Sequence, residues 1–306
     1  MAHAKAVDTP SSPGPAETGT GGNPWLVLLA VSLGVIMVML DGTVVGIANP
    51  VIQADLKASL SDLQWVTSGY LLALAVFLIT AGKLGDLFGH KRVFLIGVAG
   101  FALSSVGIGF SAELADIVPG VTPIGTLIGL RVAQGLFGAL LQPAALALLR
   151  GAFPGPKLNQ AMGAWGAIIG LSSAAGPIVG GLLVDAVSWE SVFFINAPVG
   201  VIALIMGILL IKENRAQTLA RIDWLGVVLL SGAMFSLVWM IIKAPDWGWG
   251  DSTTLTFLAV FAVLIGLFIF WQSRAKQPLV PLSLFANPSI SIGTFLMMMV
   301  AFAMFG

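Results

Sequence analysis

The chain has 306 residues, of which 58% are hydrophobic and 9% charged, with a formal net charge of zero. Soluble domains carry about a quarter charged residues, so this composition excludes a solvated globular domain. No cysteine is present, which removes disulfides and thiolate metal sites, and neutral bulk charge gives no sign of a nucleic-acid partner.

Residues 1–24 are rich in Pro, Gly, Ser and Thr and are expected to form a disordered cytoplasmic tail. The apolar run that follows is too long for a signal peptide core, and no small-residue cleavage site ends it. Apolar blocks of about twenty residues recur from there on, the length that crosses a hydrocarbon core of about 30 Å as a helix. They lack two-residue alternation, which favours helices over barrel strands. The expected spans are 25–47, 63–81, 93–110, 126–149, 161–184 and 192–211, a six-helix bundle over 25–211. A charged cytoplasmic linker at 212–223 follows, then two additional transmembrane helices within 224–271, at 224–242 and 255–271. Residues 272–306 are a Pro-rich cytoplasmic connection and the start of a ninth span, which opens near Ile290 and is still apolar at Gly306. The fold class is therefore an all-α polytopic membrane protein.

Charge placement gives the orientation. With the N-terminus cytoplasmic, eleven of the 14 basic residues fall inside, among them Lys83, Lys91, Arg92, Arg150, Lys157, Lys212, Arg215, Arg221, Arg274 and Lys276. Only Lys57 and Lys243 fall outside, and Arg131 lies within a span. That asymmetry is the positive-inside pattern of a plasma (inner) membrane protein. His3 and His90 are the only imidazoles, and neither has a partner at metal-ligand spacing. No phosphate-binding Gly-x4-Gly-Lys-Ser/Thr run occurs, so no enzyme activity, metal or nucleotide cofactor is expected.

Five segments carry chemistry. Between the second and third spans, residues 82–92 read GKLGDLFGHKR. Gly82 and Gly89 permit a tight turn, Asp86 can cap a helix or pair with a cation, and Lys91 and Arg92 add positive charge. The plain alternative is an ordinary basic loop. This segment resembles the signature loop of the major facilitator superfamily, with His90 where a basic residue is usual. Residues 40–50, LDGTVVGIANP, resemble the first-helix motif of the fourteen-helix drug:H+ antiporters of the EmrB/QacA type, departing at Gly46 and Asn49. Arg131, Gln134 and Gly135 resemble the fourth-helix motif. Gly170 with Gly176, Pro177, Gly180 and Gly181 resembles the fifth-helix antiporter motif. Trp189 and residues 193–200, FFINAPVG, match the family's entry into helix six, with Glu190 replacing a usual Arg.

The resemblance implies a proton-coupled secondary transporter that exports drugs or other lipophilic or cationic compounds and is driven by the proton gradient, not by a cofactor. A specific antibiotic or metabolite exporter is the near alternative. The two spans after helix six favour the fourteen-helix branch. Residue roles follow from cost. An ionisable side chain in hydrocarbon costs about 2.5–3.5 kcal/mol on insertion scales, so Asp41 and Arg131 need reasons. At 1.5 Å per residue both fall in the outer half of the membrane. Asp41 is expected to alternate between protonated and ionised forms, with Arg131 and Gln134 tuning its proton affinity. The alternatives are a carboxylate at the water interface or a static partner for Arg131. Pro177 removes a backbone hydrogen bond, making 170–181 a hinge or a packing seam. Gly42 and Gly46 are expected to pack, and Trp65, Tyr70 and Trp165 could line a cavity or fill the core. By resemblance, the loop at Asp86 would latch onto a second six-helix half, so the 306-residue chain alone is expected to be truncated and not to transport. A dimer of half-transporters, a non-transporting membrane scaffold or a degenerate gene product are the other readings. The expected partners are lipid, proton, a small-molecule substrate, and the missing half or a second copy.

Overall fold

A computed structural model of the chain describes residues 23–213, 223–275 and 278–305. Nearly all of the expected tail, most of the 212–223 linker and Lys276 lie outside the described residues. Among those described, every regular element is helical. The first three spans are α1 (Pro24–Asp55), α2 (Leu60–Phe88) and α3 (His90–Gly109), followed by a short α4 (Ser111–Ile117). The fourth and fifth are α5 (Pro123–Ala152) and α6 (Lys157–Ala186), and the sixth is the single turn α7 (Ser191–Phe194) running into α8 (Asn196–Leu210). The two additional spans are α9 (Trp224–Trp247) and α10 (Ser252–Gln272); a 3-10 turn, Leu282–Ala286, then leads to α11 (Pro288–Phe305). Eight of these segments are long and apolar enough to cross a membrane.

The helices outrun their apolar stretches. With 32 residues, α1 is about 48 Å long, well beyond a hydrocarbon core of about 30 Å. Its ends are set by polar chemistry. The Asn23 side chain accepts from the Trp25 N–H, with Pro24 in the first turn, where its missing donor costs nothing. Ser59 and Asp62 form a reciprocal capping box that starts α2, Thr122 caps α5, and Asp223 and Asp251 cap α9 and α10; each such side chain satisfies a backbone N–H that the helix cannot. At the far end of α1, the indole N–H of Trp189 donates to Asp55 at 2.8 Å, tying the first span to the entry of the sixth.

The residues expected as a signature loop are mostly helix. Gly82 to Phe88 complete α2, and α3 begins at His90, leaving Gly89 as the whole connection. Its φ of 98° is open to glycine and strained for any other residue.

Within the bundle α5 lies against both α2 and α3, α1 lies against α6, and α8 covers α1 and α3. Two apolar cores result. One holds Val31, Val35, Phe94, Val98, Phe101 and Leu141; the other holds Val45, Ile52, Val66, Leu127 and Phe193. The α9–α10 hairpin stands outside the six, meeting the bundle through α2, where the Trp65 and Trp239 rings lie 4.8 Å apart. Buried residues are few on α6: Ala161, Ser172, Gly176 and Gly180.

The hairpin's base has its own polar junction. The Asp223 carboxylate accepts from the Gly226 N–H, from Trp271 Nε1 at 2.7 Å and from Gln272 Nε2 at 2.7 Å. Gln272 in turn accepts from the Val280 N–H, so one carboxylate joins α9, α10 and the segment that leaves them. Burial alone would push the Asp223 carboxyl up; the hydrogen bonds from Gly226, Trp271, Gln272 and the Leu279 N–H outweigh it and hold the carboxyl below its ordinary range. A carboxyl depressed in the folded state contributes stability above its unfolded value, and this is lost as the pH falls through the folded one. Asp223→Ala is therefore expected to cost about 1–2 kcal/mol near neutral pH. The difference from the parent protein, followed by thermal unfolding, is expected to shrink as the buffer is acidified.

Candidate functional site

Between the two apolar cores lies a layer of polar side chains that no water reaches. Arg131, in the third turn of α5, is fully buried, and Asp41 on α1 is 2% exposed. Their charged groups meet: Arg131 Nη1 donates to Asp41 Oδ2 and also to Gln134 Oε1. Gln134 lies one turn further along α5, so it shares a face with Arg131. Its amide nitrogen donates to the other carboxylate oxygen of Asp41 at 2.8 Å and to the Ser105 hydroxyl on α3. Asn196, at the start of α8, donates to that same hydroxyl at 3.2 Å. Arg131 Nε donates to the Val66 carbonyl of α2 at 3.0 Å. The guanidinium stacks 4.1 Å from the centre of the Tyr70 ring, whose hydroxyl reaches towards the Val38 carbonyl of α1 at 3.4 Å. Five spans thus converge on one ion pair.

Chemically, the Gln134 amide is oriented for ionised partners. Its oxygen accepts from the guanidinium and its nitrogen donates to the carboxylate, so one side chain bridges both members of the pair. Both carboxylate oxygens are occupied. Any further group that bonds Asp41 has to compete with Arg131 and Gln134, both of which reach it from α5.

The three residues expected to handle protons are therefore brought together, and the reading of Asp41 as a carboxylate at the water interface is corrected. Two members of the layer, Ser105 and Asn196, escaped the sequence reading. The available signal was a polar residue interrupting an apolar span, with Asn196 inside the FFINAPVG run. Tyr70 lines no open cavity; it is core, 1% exposed. Trp65 lines a lateral cleft, and Trp165 is half-buried with its indole nitrogen unpartnered among the described residues.

The basic cluster at the start of α3 is placed elsewhere. Gly82 faces Pro143 of α5, and Asp86 pairs with His90 at 3.4 Å. Lys91 donates through its backbone N–H to Glu213 at 3.0 Å and through Nζ to the Ile208 carbonyl at 2.8 Å, a cation at the C-terminal end of α8. Arg92 lies 3.8 Å from Glu213. Gly89, Lys91 and Arg92 thus close the seam between the third and sixth spans, while Asp86 pairs across the junction of the second and third. On α6, Pro177 sits inside the helix without ending it. Gly176 abuts Thr43 and Gly180 abuts Val44 of α1, while Gly166, Gly170 and Gly181 face open space. Gly42 and Gly46, expected to pack, also have nothing within 4 Å of a built Cβ. The close approach of α1 and α6 rests on Gly176 and Gly180 alone, because those two lie on the inward face of the helix.

Comparison with known proteins gives a consistent result. Residues 31–306 match the model of the Major Facilitator Superfamily. The chain is 56% identical over 290 residues to the tetracenomycin C resistance and export protein of Streptomyces glaucescens, covering 94% of the chain and 52% of that protein. It is 37% identical to a probable actinorhodin transporter of Streptomyces coelicolor, over 92% of the chain and 49% of that protein. It is 35% identical to the multidrug resistance protein Stp of Mycobacterium tuberculosis, over 92% and 51%. The chain spans about half the length of the curated relatives it matches. A solved structure of the peptide transporter POT, determined with sulfate, superposes with a TM-score of 0.57 at 15% identity, covering 85% of this chain and 55% of that one, a likeness of fold.

Proposed function

We propose that this chain, which belongs to the Major Facilitator Superfamily, forms the proton-handling bundle of a secondary antiporter that exports lipophilic or cationic drugs. The observation that carries the reading is the ion pair of Asp41 and Arg131, sealed between two apolar cores and braced by Gln134. A buried pair of this kind is poor value as a mere fastener, since well-packed apolar side chains would stabilise the bundle as well or better. Its worth is as a switch. Asp41 takes a proton when the helices shift and Arg131 lets go, and releases it when the pair re-forms. Relatives named for antibiotic export and multidrug resistance support the choice of cargo.

In this reading six spans followed by the α9–α10 pair correspond to the fourteen-helix branch, with the N-terminus on the cytoplasmic side of the plasma membrane. The largely uncovered α6 presents a face to a second six-helix unit, with Gly176 and Pro177 as the place where α6 flexes against α1. The clamp of Lys91 and Arg92 on Glu213 holds the third and sixth spans together while the bundle tilts.

The test is proton movement. In everted vesicles carrying the whole transporter, this bundle together with its second six-helix unit, adding ethidium to the wild type is expected to release protons from the lumen. Asp41→Asn keeps the shape and one of the two acceptor positions, sets an amide NH2 against a donor at the other, and cannot cycle a charge; it is expected to reduce that release to background while ethidium still binds. Undiminished proton release from the Asn variant would sink Asp41 as the proton site, and no release from the wild type would favour a scaffold or a uniporter.

A further inference from the structure

A second cavity lies on the other side of α2 and α5 from the ion pair. It holds about 360 Å³ and is walled by Trp65, Gly69, Val76 and Phe77 of α2, by Val132 and Leu136 of α5, and by Phe235 and Trp239 of α9. Arg131 and Val132 are neighbours in sequence, so they leave α5 on different faces: Arg131 points into the bundle, Val132 into this cleft. From Trp65 to Phe77 the cleft runs about 18 Å along α2 at 1.5 Å per residue, close to the half-thickness, about 15 Å, of a hydrocarbon core.

We propose that this cleft holds one acyl chain of a phospholipid, whose phosphate is met at the mouth by Lys243. Three observations select that occupant. Apart from the indole N–H groups of Trp65 and Trp239, the lining side chains offer no polar atom, and a drug-sized ligand with fixed polar groups would find nothing to orient it; a hydrocarbon chain needs none. The cleft opens sideways, between the bundle and the α9–α10 hairpin, where the bilayer lies. The Lys243 ammonium stands 5.8 Å from the Trp65 ring and bonds to Asp246 at 3.0 Å. Lysine has three donors, so two remain for a phosphate oxygen.

The lipid has a structural task. Among the described residues, hairpin and bundle meet where α9 runs beside α2, through the Trp65–Trp239 pair, the Lys243 ammonium over the Trp65 ring and a long Ser231 hydroxyl to Val76 carbonyl bond at 3.4 Å. An empty cleft there would forfeit dispersion contacts on both walls. A bound chain restores them and fixes the hairpin against α2.

The experiment is native mass spectrometry of the detergent-purified protein titrated with dioleoyl phosphatidylglycerol. The wild type is expected to take up one lipid saturably at low concentration. Val132→Trp fills the cleft, and displacing even two methylenes weakens binding about tenfold. Phe235→Ala strips an already exposed wall residue, 41% accessible; it is expected to weaken binding in the same direction and keeps the question answerable if the Trp variant misfolds. Lys243→Gln is expected to weaken binding about fivefold. Val263→Trp, on the open face of α10 where Val263 is 60% exposed, is expected to bind as the wild type does. The proposal is overturned if Val132→Trp and Phe235→Ala both titrate like the wild type, or if ethidium displaces the bound lipid, which would make the cleft a drug pocket. None of these readouts depends on transport, so they stand or fall separately from the antiporter reading.

Discussion

Arg131→Met is expected to lower the stability of the bundle by about 3–5 kcal/mol, because it strands a buried carboxylate with no countercharge. The Val66 carbonyl and Gln134 Oε1 lose their donor in the same stroke, and Tyr70 loses the cation over its ring. The diagnostic is the second mutation. Adding Asp41→Leu removes the stranded charge, and the double variant is expected to regain most of the loss even though it lacks the pair altogether. Thermal unfolding of the parent, the single and the double variant in one detergent checks this. A double variant no more stable than Arg131→Met would mean that the loss comes from packing of the long side chain and not from the charge left behind.

Gly135→Ala is expected to cost about 1–3 kcal/mol and to loosen the seam between α2 and α5. A methyl at this position collides with the carbonyl oxygen of Tyr70, which is backbone and has no rotamer to retreat into. Gly100 is different, since its added methyl would meet the Phe137 ring, a side chain that can swing aside. Gly129 offers the control: nothing lies within 4 Å of its built Cβ, so Gly129→Ala is expected to be neutral or to stabilise by up to about 1 kcal/mol through the helix entropy saved. Because Tyr70 lies directly beneath Arg131, Gly135→Ala is also expected to disturb proton coupling, and the vesicle assay measures that separately from stability.

The spans were legible because hydrocarbon imposes a length, and apolar runs of that length have few other uses. Their ends were less so. Pro50 invites a stop, yet α1 continues to Asp55, because near a helix end a lost backbone bond can be replaced by water. The GKLGDLFGHKR segment reads as a loop by its charge and glycine, yet all of it except Gly89 is helix, since Lys83 and Asp86 extend past the apolar zone without breaking the backbone pattern. The similar depth of Asp41 and Arg131 was legible, two charges too costly to bury singly; that they touch was not, because the sequence does not say that the first and fourth spans lie side by side. Ser105 and Asn196 were not legible either, because a lone hydroxyl or amide in a span is as often satisfied by its own helix as by another. The glycines of α6 show the same limit. Composition marks all of them as sites of close approach, but only the direction each faces decides that Gly176 and Gly180 touch α1 while Gly170 and Gly181 do not.

The order in which the ion pair's members are made sets a timetable for biogenesis. Asp41 and Arg131 are separated by 90 residues, which a ribosome adding about 5–20 residues per second takes roughly 5–18 s to supply. During that interval the first span leaves the translocon with a carboxyl group and no guanidinium to meet it. Until the fourth span is made, the polar side chain of the first has to be accommodated by something other than its final partner. Assembly is therefore ordered, since the polar layer can close only after the spans that carry Arg131 and Gln134 have joined the one that carries Asp41.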